Sequence, residues 1–60
     1  MIAVIDIVAL LQNNQLVRRK YYKMKWKKLL DMLLKDKTIK SFHIKETKNG
    51  KTIRELKTEF

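Results

Sequence analysis

The chain contains no cysteine, no proline and a single glycine, Gly50. Without cysteine, neither a disulfide nor a cysteine-based zinc site can stabilise these 60 residues, a length near the lower limit for folding on a hydrophobic core alone. His43 is the only histidine, and one imidazole does not make a metal site. We therefore expect one small domain, residues 1–60, with neither metal nor cofactor, in a reducing, cytoplasmic compartment.

Side chains suited to catalysis are scarce as well. The sequence sets no evident nucleophile or second acid–base group beside His43. Asp6, Asp31 and Asp36 lack the spacing of metal ligands. We predict that His43 is a strand residue paired with Glu55, and we expect no enzymatic activity.

Acidic residues are few, so the charge is one-sided. Six Asp and Glu accompany 15 Lys and Arg, which gives a net charge of +9. Residues 16–37 hold nine Lys and Arg against two Asp, so most of the excess lies in the middle of the chain. This balance is typical of proteins that bind nucleic acid, an anionic membrane or an acidic protein surface. Hydrophobic residues form 45% of the chain and are regularly spaced, which argues against disorder.

No hydrophobic run has the roughly 20 residues that a membrane-spanning helix needs. The longest, Met1 to Leu11, is interrupted by Asp6 and lacks the basic start of a secretory signal. Its β-branched residues favour a strand, whereas its Ala and Leu residues and the two asparagines that follow favour a helix. We predict a helix over residues 2–12. Because such a helix is apolar almost all round, we expect a homodimer through residues 2–11.

Residues 15–36 predict a second helix. At about 100° per residue, five apolar residues share one face: Tyr22, Trp26, Leu29, Leu30 and Leu33. Residues 22–27 alternate apolar residues with lysine, a strand-like period of two, but the leucine-rich continuation favours a helix. This helix is either continuous or split, which would give three helices in all.

The C-terminal residues 38–60 predict an antiparallel β-hairpin with its turn near Asn49-Gly50. A two-residue loop would place Phe42 opposite a lysine. A three-residue loop that includes Lys48 instead pairs Phe42 with Leu56 and leaves Phe60 on the same face. Because the apolar residues then gather on one face, we predict the three-residue loop with a glycine bulge.

The middle of the chain interleaves cations with flat apolar side chains, in the run Arg18-Arg19-Lys20-Tyr21-Tyr22-Lys23-Met24-Lys25-Trp26-Lys27-Lys28. Cations displace counterions from phosphates, and rings either stack on bases or pack in the protein's core. We expect Tyr22 and Trp26 to be core residues and the cations to stay available. The candidate nucleic-acid-binding residues lie on the second predicted helix and at the hairpin tip: Arg18, Arg19, Lys20, Lys27, Lys28, Lys35, Lys48 and Lys51.

Together, the segments predict an α+β fold of two or three helices followed by a hairpin. Residues 26–34 as a recognition helix, with residues 38–44 and 52–56 as wing strands around Lys48-Asn49-Gly50, resemble the C-terminal two-thirds of a winged helix-turn-helix DNA-binding domain. The resemblance covers about residues 16–60 and implies duplex DNA rather than RNA as the partner.

We therefore predict a non-enzymatic nucleic-acid-binding protein that holds phosphates with a basic helix and a basic hairpin tip. The alternative is a protein-binding module, an inhibitor or accessory subunit, whose basic face docks on an acidic partner protein. A third interpretation places residues 15–36 on an anionic membrane surface.

Overall fold

The computed structural model describes residues 3–59, in which four strands and one helix alternate with short turns. In chain order the elements are β1 (Val4–Leu11), β2 (Leu16–Tyr22), α1 (Trp26–Lys35), β3 (Ile39–Lys48) and β4 (Lys51–Glu59). The strands form one antiparallel sheet in the order β2-β1-β3-β4. The predicted winged-helix-like fold of two or three helices followed by a hairpin is therefore wrong.

The predicted helix over residues 2–12 is wrong because β1 occupies most of that segment. Its many β-branched residues have stiff side chains that suit a pleated strand better than a helix. Ile5, Ile7 and Ala9 are buried on one face of β1, whereas Val4 and Val8 are half-buried on the other. Because both faces of β1 are apolar, its sequence does not show the alternation of apolar and polar residues that is typical of a strand.

The location of β1 also explains its apolarity without a second copy of the chain. It pairs with β2 on one side and β3 on the other, so it is the interior strand of the sheet. The all-round apolar helix from which we inferred a dimer through residues 2–11 does not exist. Ile2, the first residue of that predicted helix, lies outside the described residues.

The predicted helix over residues 15–36 is wrong in its first half. Val17, Tyr21 and Tyr22 favour a strand and belong to β2. Lys23 then takes a positive φ of 59°, which ends β2 and precludes a continuous helix. The helix starts only at Trp26 and runs for ten residues. No described helix has the length and apolarity to cross a membrane.

The core lies between α1 and one face of the sheet. The buried apolar residues come from β1, α1 and β3: Ile5, Ile7, Ala9, Leu29, Ile39, Phe42 and Ile44. Trp26, Leu30 and Leu33 pack against them, so the predicted apolar face of the helix is correct from Trp26 onward. Tyr22 was expected on that face but is 57% exposed. The opposite face of the sheet is not covered by any described element.

A hairpin is present where the sequence predicts one, but its loop has two residues, Asn49 and Gly50. Their φ values of 57° and 74° are those that a type I′ turn requires. Ile53 is an extra residue in β4, a bulge that shifts the register. Phe42 consequently lies opposite Thr58, so the predicted pair with Leu56 and the three-residue loop are wrong.

The predicted contact of His43 with Glu55 is made, although not as a directly opposed pair. His43 lies opposite Lys57, and its Nε2 contacts Oε2 of Glu55 diagonally across the hairpin. Phe60, which we expected on the face of Phe42, lies outside the described residues.

Candidate nucleic-acid interface

The three cations that are adjacent in β2 do not all lie on the same face of the sheet. Successive side chains of a strand point to opposite faces of the sheet. Arg18 and Lys20 therefore lie on the open face, and Arg19 lies on the face that α1 covers. The two adjacent arginines therefore cannot contact the same flat ligand surface.

Arg19 and Lys35 lie away from the cations at the start of α1. Arg19 lines a groove of about 180 Å³ between β2 and α1, together with Asp36. Nζ of Lys35 lies 3.2 Å from Oδ2 of Asp31, one turn earlier in α1. At a rise of 1.5 Å per residue, Lys35 is roughly 11 Å along the helix from Lys28. Neither side chain can share a phosphate with the cations at the start of α1.

One end of the sheet gathers lysines from three separate segments. Val4 pairs with both Tyr22 and Thr47, so the end of β2, the start of α1 and the β3–β4 turn lie at this end. Residues 22–28 and 47–53 contain neither Asp nor Glu. They contain six lysines, which we call the lysine end: Lys23, Lys25, Lys27, Lys28, Lys48 and Lys51.

The lysine end is electrostatically uncompensated. Within residues 3–59 none of its six lysines forms an ion pair. Because β1 separates β2 from β3, the lysines that follow β2 and those of the hairpin tip are roughly 10–14 Å apart. This distance exceeds the Debye length of about 8 Å at physiological ionic strength, so the repulsion between the two groups of lysines is largely screened there and grows as the salt concentration falls.

The helix adds to this positive potential. Its N-cap residue, Lys25, makes no side-chain cap, and the first turn contains no acidic residue. The first backbone N–H groups of α1, with the positive end of the helix dipole, therefore point towards the lysine end.

The hairpin tip contains an unfavourable pair of like charges. Lys48 and Lys51 are directly opposite each other, on either side of the two-residue turn. Like charges at opposed positions destabilise a hairpin. Residues that break a local stability rule in this way are commonly retained for binding rather than for folding.

The described acidic side chains have partners of their own and do not neutralise the lysine end. Oε1 of Glu46, on the helix-covered face, lies 2.8 Å from Nε of Arg54, which sits 5.5 Å from the ring centroid of Trp26. Asp36, at the other end of α1, accepts hydrogen bonds from the hydroxyl and the backbone N–H of Thr38, and these lower the pKa of its carboxyl.

Aromatic side chains contribute little to the exposed surface of this end. Tyr22 is exposed, but Tyr21 and Trp26 pack against the core. Met24 also packs against the core. The interface is therefore one of point charges with a single available ring.

Four of the eight predicted residues belong to the lysine end: Lys27, Lys28, Lys48 and Lys51. The sequence did not single out Lys23 and Lys25, because the basic side of the helix predicted over residues 15–36 did not include them. The alternation of apolar residues with lysine from Tyr22 to Lys25 was the signal that these residues, which precede α1, are not helical.

No known protein family, curated protein or solved structure matches this chain significantly. Within the described part of the chain, no three His, Asp or Glu side chains are grouped so that they could hold a metal ion. The lysine end is therefore the feature of the molecule that bears on its function.

Proposed function

We propose that this chain is a non-enzymatic, cytoplasmic protein that binds duplex DNA by holding its phosphates with the lysine end. The observation that carries the proposal is the group of six lysines, free of ion pairs within the described residues, at one end of a folded sheet. Lysine ammonium groups are compact, mobile charges that contact phosphates without reading bases. Each contact displaces a condensed counterion, which supplies sequence-independent affinity.

The scarcity of exposed rings favours a duplex over a single strand. Proteins that bind single strands stack successive bases on several aromatic side chains. At the lysine end only Tyr22 is exposed enough to stack. The unstacked bases of a single strand would thus gain little here.

The shape of the hairpin tip favours DNA over RNA. A two-stranded ribbon fits the major groove of B-DNA, which is about 12 Å wide, whereas the major groove of A-form RNA is too narrow for side chains to read. In this arrangement Lys48 and Lys51 contact phosphates at the groove. Lys23, Lys25 and the first turn of α1 contact the flanking backbone.

Fluorescence anisotropy with a labelled random duplex, from about 50 to 200 mM salt, tests the proposal. For about five phosphate contacts we expect log affinity to fall with log salt at a slope of about −4 to −5. The triple variant Lys23→Gln/Lys48→Gln/Lys51→Gln should reduce this slope by about 3. Its matched control is Lys35→Gln/Lys37→Gln/Lys40→Gln, which removes the same charge from the rest of the surface and should leave the slope nearly unchanged.

Three outcomes would contradict the proposal. Equal losses in both triple variants would mean a diffuse attraction rather than an interface at the lysine end. Tighter binding to an RNA hairpin or a single strand would reject duplex DNA as the ligand. Feeble binding to every nucleic acid at low salt would assign the lysine end to an acidic protein partner instead. Arg18→Ala/Arg19→Ala, at the residues that the sequence favoured, should cost less affinity than the lysine-end triple variant.

A further inference from the structure

The sheet has two free edges, and they differ in how they are protected. The edge of β2 presents Arg18, Arg19 and Lys20 in succession. Antiparallel pairing of β2 with a second copy about any of these residues would set cations opposite cations. Such charges are a common protection against edge-to-edge association. The edge of β4 carries no such run.

The free edge of β4 has a sequence that is complementary to itself. A two-fold axis perpendicular to the sheet pairs residues of the same face, so the residue at the axis meets its own copy. With the axis at Leu56, Glu55 lies opposite Lys57 of the second copy, and Arg54 lies opposite Thr58. Axes at Arg54, Glu55 or Lys57 would set like charges against each other. Thr58 is too close to the end of β4 to centre a ladder of this length, so Leu56 is the favourable centre of residues 54–58.

The exposure of Leu56 in the isolated chain also points to this register. Leu56 lies opposite the fully buried Ile44, yet it is 38% exposed, so the core is open at this edge.

The bulge at Ile53 limits how far the pairing extends. A bulge twists the edge of a sheet and ends regular pairing. The ladder between the two copies of β4 therefore starts at Arg54. About five residues from each chain then form the contact, which is much smaller than a standard interface. We therefore expect a weak dimer that depends on protein concentration. Because each chain has a net charge of +9, added salt should strengthen the association by screening the repulsion.

We propose that β4 pairs antiparallel with β4 of a second copy, with the two-fold axis at Leu56, to form a continuous eight-stranded sheet. The antiparallel arrangement directs the two lysine ends away from each other. The inference does not require that the chain binds nucleic acid, since every argument for it comes from the β4 edge.

A cysteine at the axis gives a direct test, because the chain has none of its own. Opposed residues of antiparallel strands have Cα atoms about 4.5–5.5 Å apart, within the range of a disulfide. Leu56→Cys, oxidised with glutathione disulfide, should therefore accumulate as a covalent dimer. Thr52→Cys is the matched control on the same strand, beyond the bulge and away from the axis, and it should cross-link several-fold less.

A charge swap tests the register without a cross-link. Glu55→Lys sets lysine opposite Lys57 of the second copy and should make the protein monomeric by sedimentation. Glu55→Lys/Lys57→Glu restores opposite charges and should restore the dimer. Because Glu55 also contacts His43 in its own chain, circular dichroism must confirm that each variant is folded.

The proposal is overturned if the unmodified chain remains monomeric up to about 1 mM in high salt, the range of the weakest specific association. It is also overturned if Leu56→Cys and Thr52→Cys cross-link equally fast, or if the double charge swap behaves like the single one.

Discussion

At the scale of single residues, the turn of the hairpin has the strictest requirement for backbone conformation. Gly50 has a φ of 74°, and a Cβ placed on it would meet no atom within 4 Å. Replacement by alanine therefore costs only the left-handed backbone strain, about 1–2 kcal/mol of unfolding free energy. Asparagine tolerates this conformation better, so Gly50→Asn should cost less than Gly50→Ala. Urea denaturation measures both values, and equal costs would contradict a purely conformational origin.

The stability of the fold should depend on pH through Asp36. Its hydrogen bonds from the hydroxyl and backbone N–H of Thr38 stabilise the carboxylate and lower the pKa in the folded protein. A lowered folded-state pKa adds stability above the pKa of the unfolded chain, and this is lost as pH falls through the folded-state pKa.

We therefore expect Asp36→Asn to be less stable than the unmodified chain at neutral pH and the difference to shrink on acidification. Thermal melts of both proteins from neutral to strongly acidic pH measure this. A difference that stays constant with pH would mean that the charge of Asp36 is not what stabilises the loop.

At the scale of elements, the sequence could predict the leucine-rich helix and the hairpin because each has a period of its own. It could not predict β1, because apolar residues on both of its faces hide the alternation and leave a short run that fits either structure. It could not predict β2, since cations occupy both faces of this strand, Arg19 on the covered face and Arg18 and Lys20 on the open one, and so hide the alternation. The register of the hairpin also escaped prediction, because the bulge at Ile53 depends on how the edge strand meets β3.

The attachment of α1 to the sheet depends strongly on Leu29, which is 1% exposed. Replacing a buried leucine by alanine costs about 2–5 kcal/mol. A chain of 60 residues has a total free energy of unfolding of roughly 3–9 kcal/mol. We therefore expect Leu29→Ala to be largely unfolded, or to melt far below the unmodified chain.

Met32, on the same helix, is 53% exposed and provides the matched control. Met32→Ala should cost much less than Leu29→Ala in the same denaturation experiment. Similar losses in both variants would mean that α1 is not seated on the sheet through its buried face.

At the scale of the whole molecule, the candidate interface is a product of the sheet order. Lys23 and Lys48 are far apart in the chain, and β1 brings their segments to the same end by pairing with both β2 and β3. The sequence predicted the amount of positive charge and its abundance in the middle of the chain. It could not predict that Arg19 and Lys35 lie away from that end, because their locations follow from the alternation of β2 and the direction of α1.

Because the six lysines repel one another, binding and stability should respond in opposite directions when they are neutralised. In low salt without nucleic acid, the lysine-end triple variant should be more stable than the unmodified chain, by a few tenths to about 1 kcal/mol. Its affinity for duplex DNA should nevertheless fall. The control at Lys35, Lys37 and Lys40 should not gain stability, since it removes the ion pair of Lys35 with Asp31.

The salt dependence of stability distinguishes charge repulsion from other causes of a gain in stability in the lysine-end triple variant. Raising it to about 1 M shortens the Debye length to roughly 3 Å, so the unmodified chain should become more stable and the difference should disappear. Chemical denaturation with urea, which is uncharged, measures both proteins across this range. A lysine-end variant that is less stable at low salt would show that these lysines support the fold, and the charge cluster would then have a structural reason rather than a phosphate ligand.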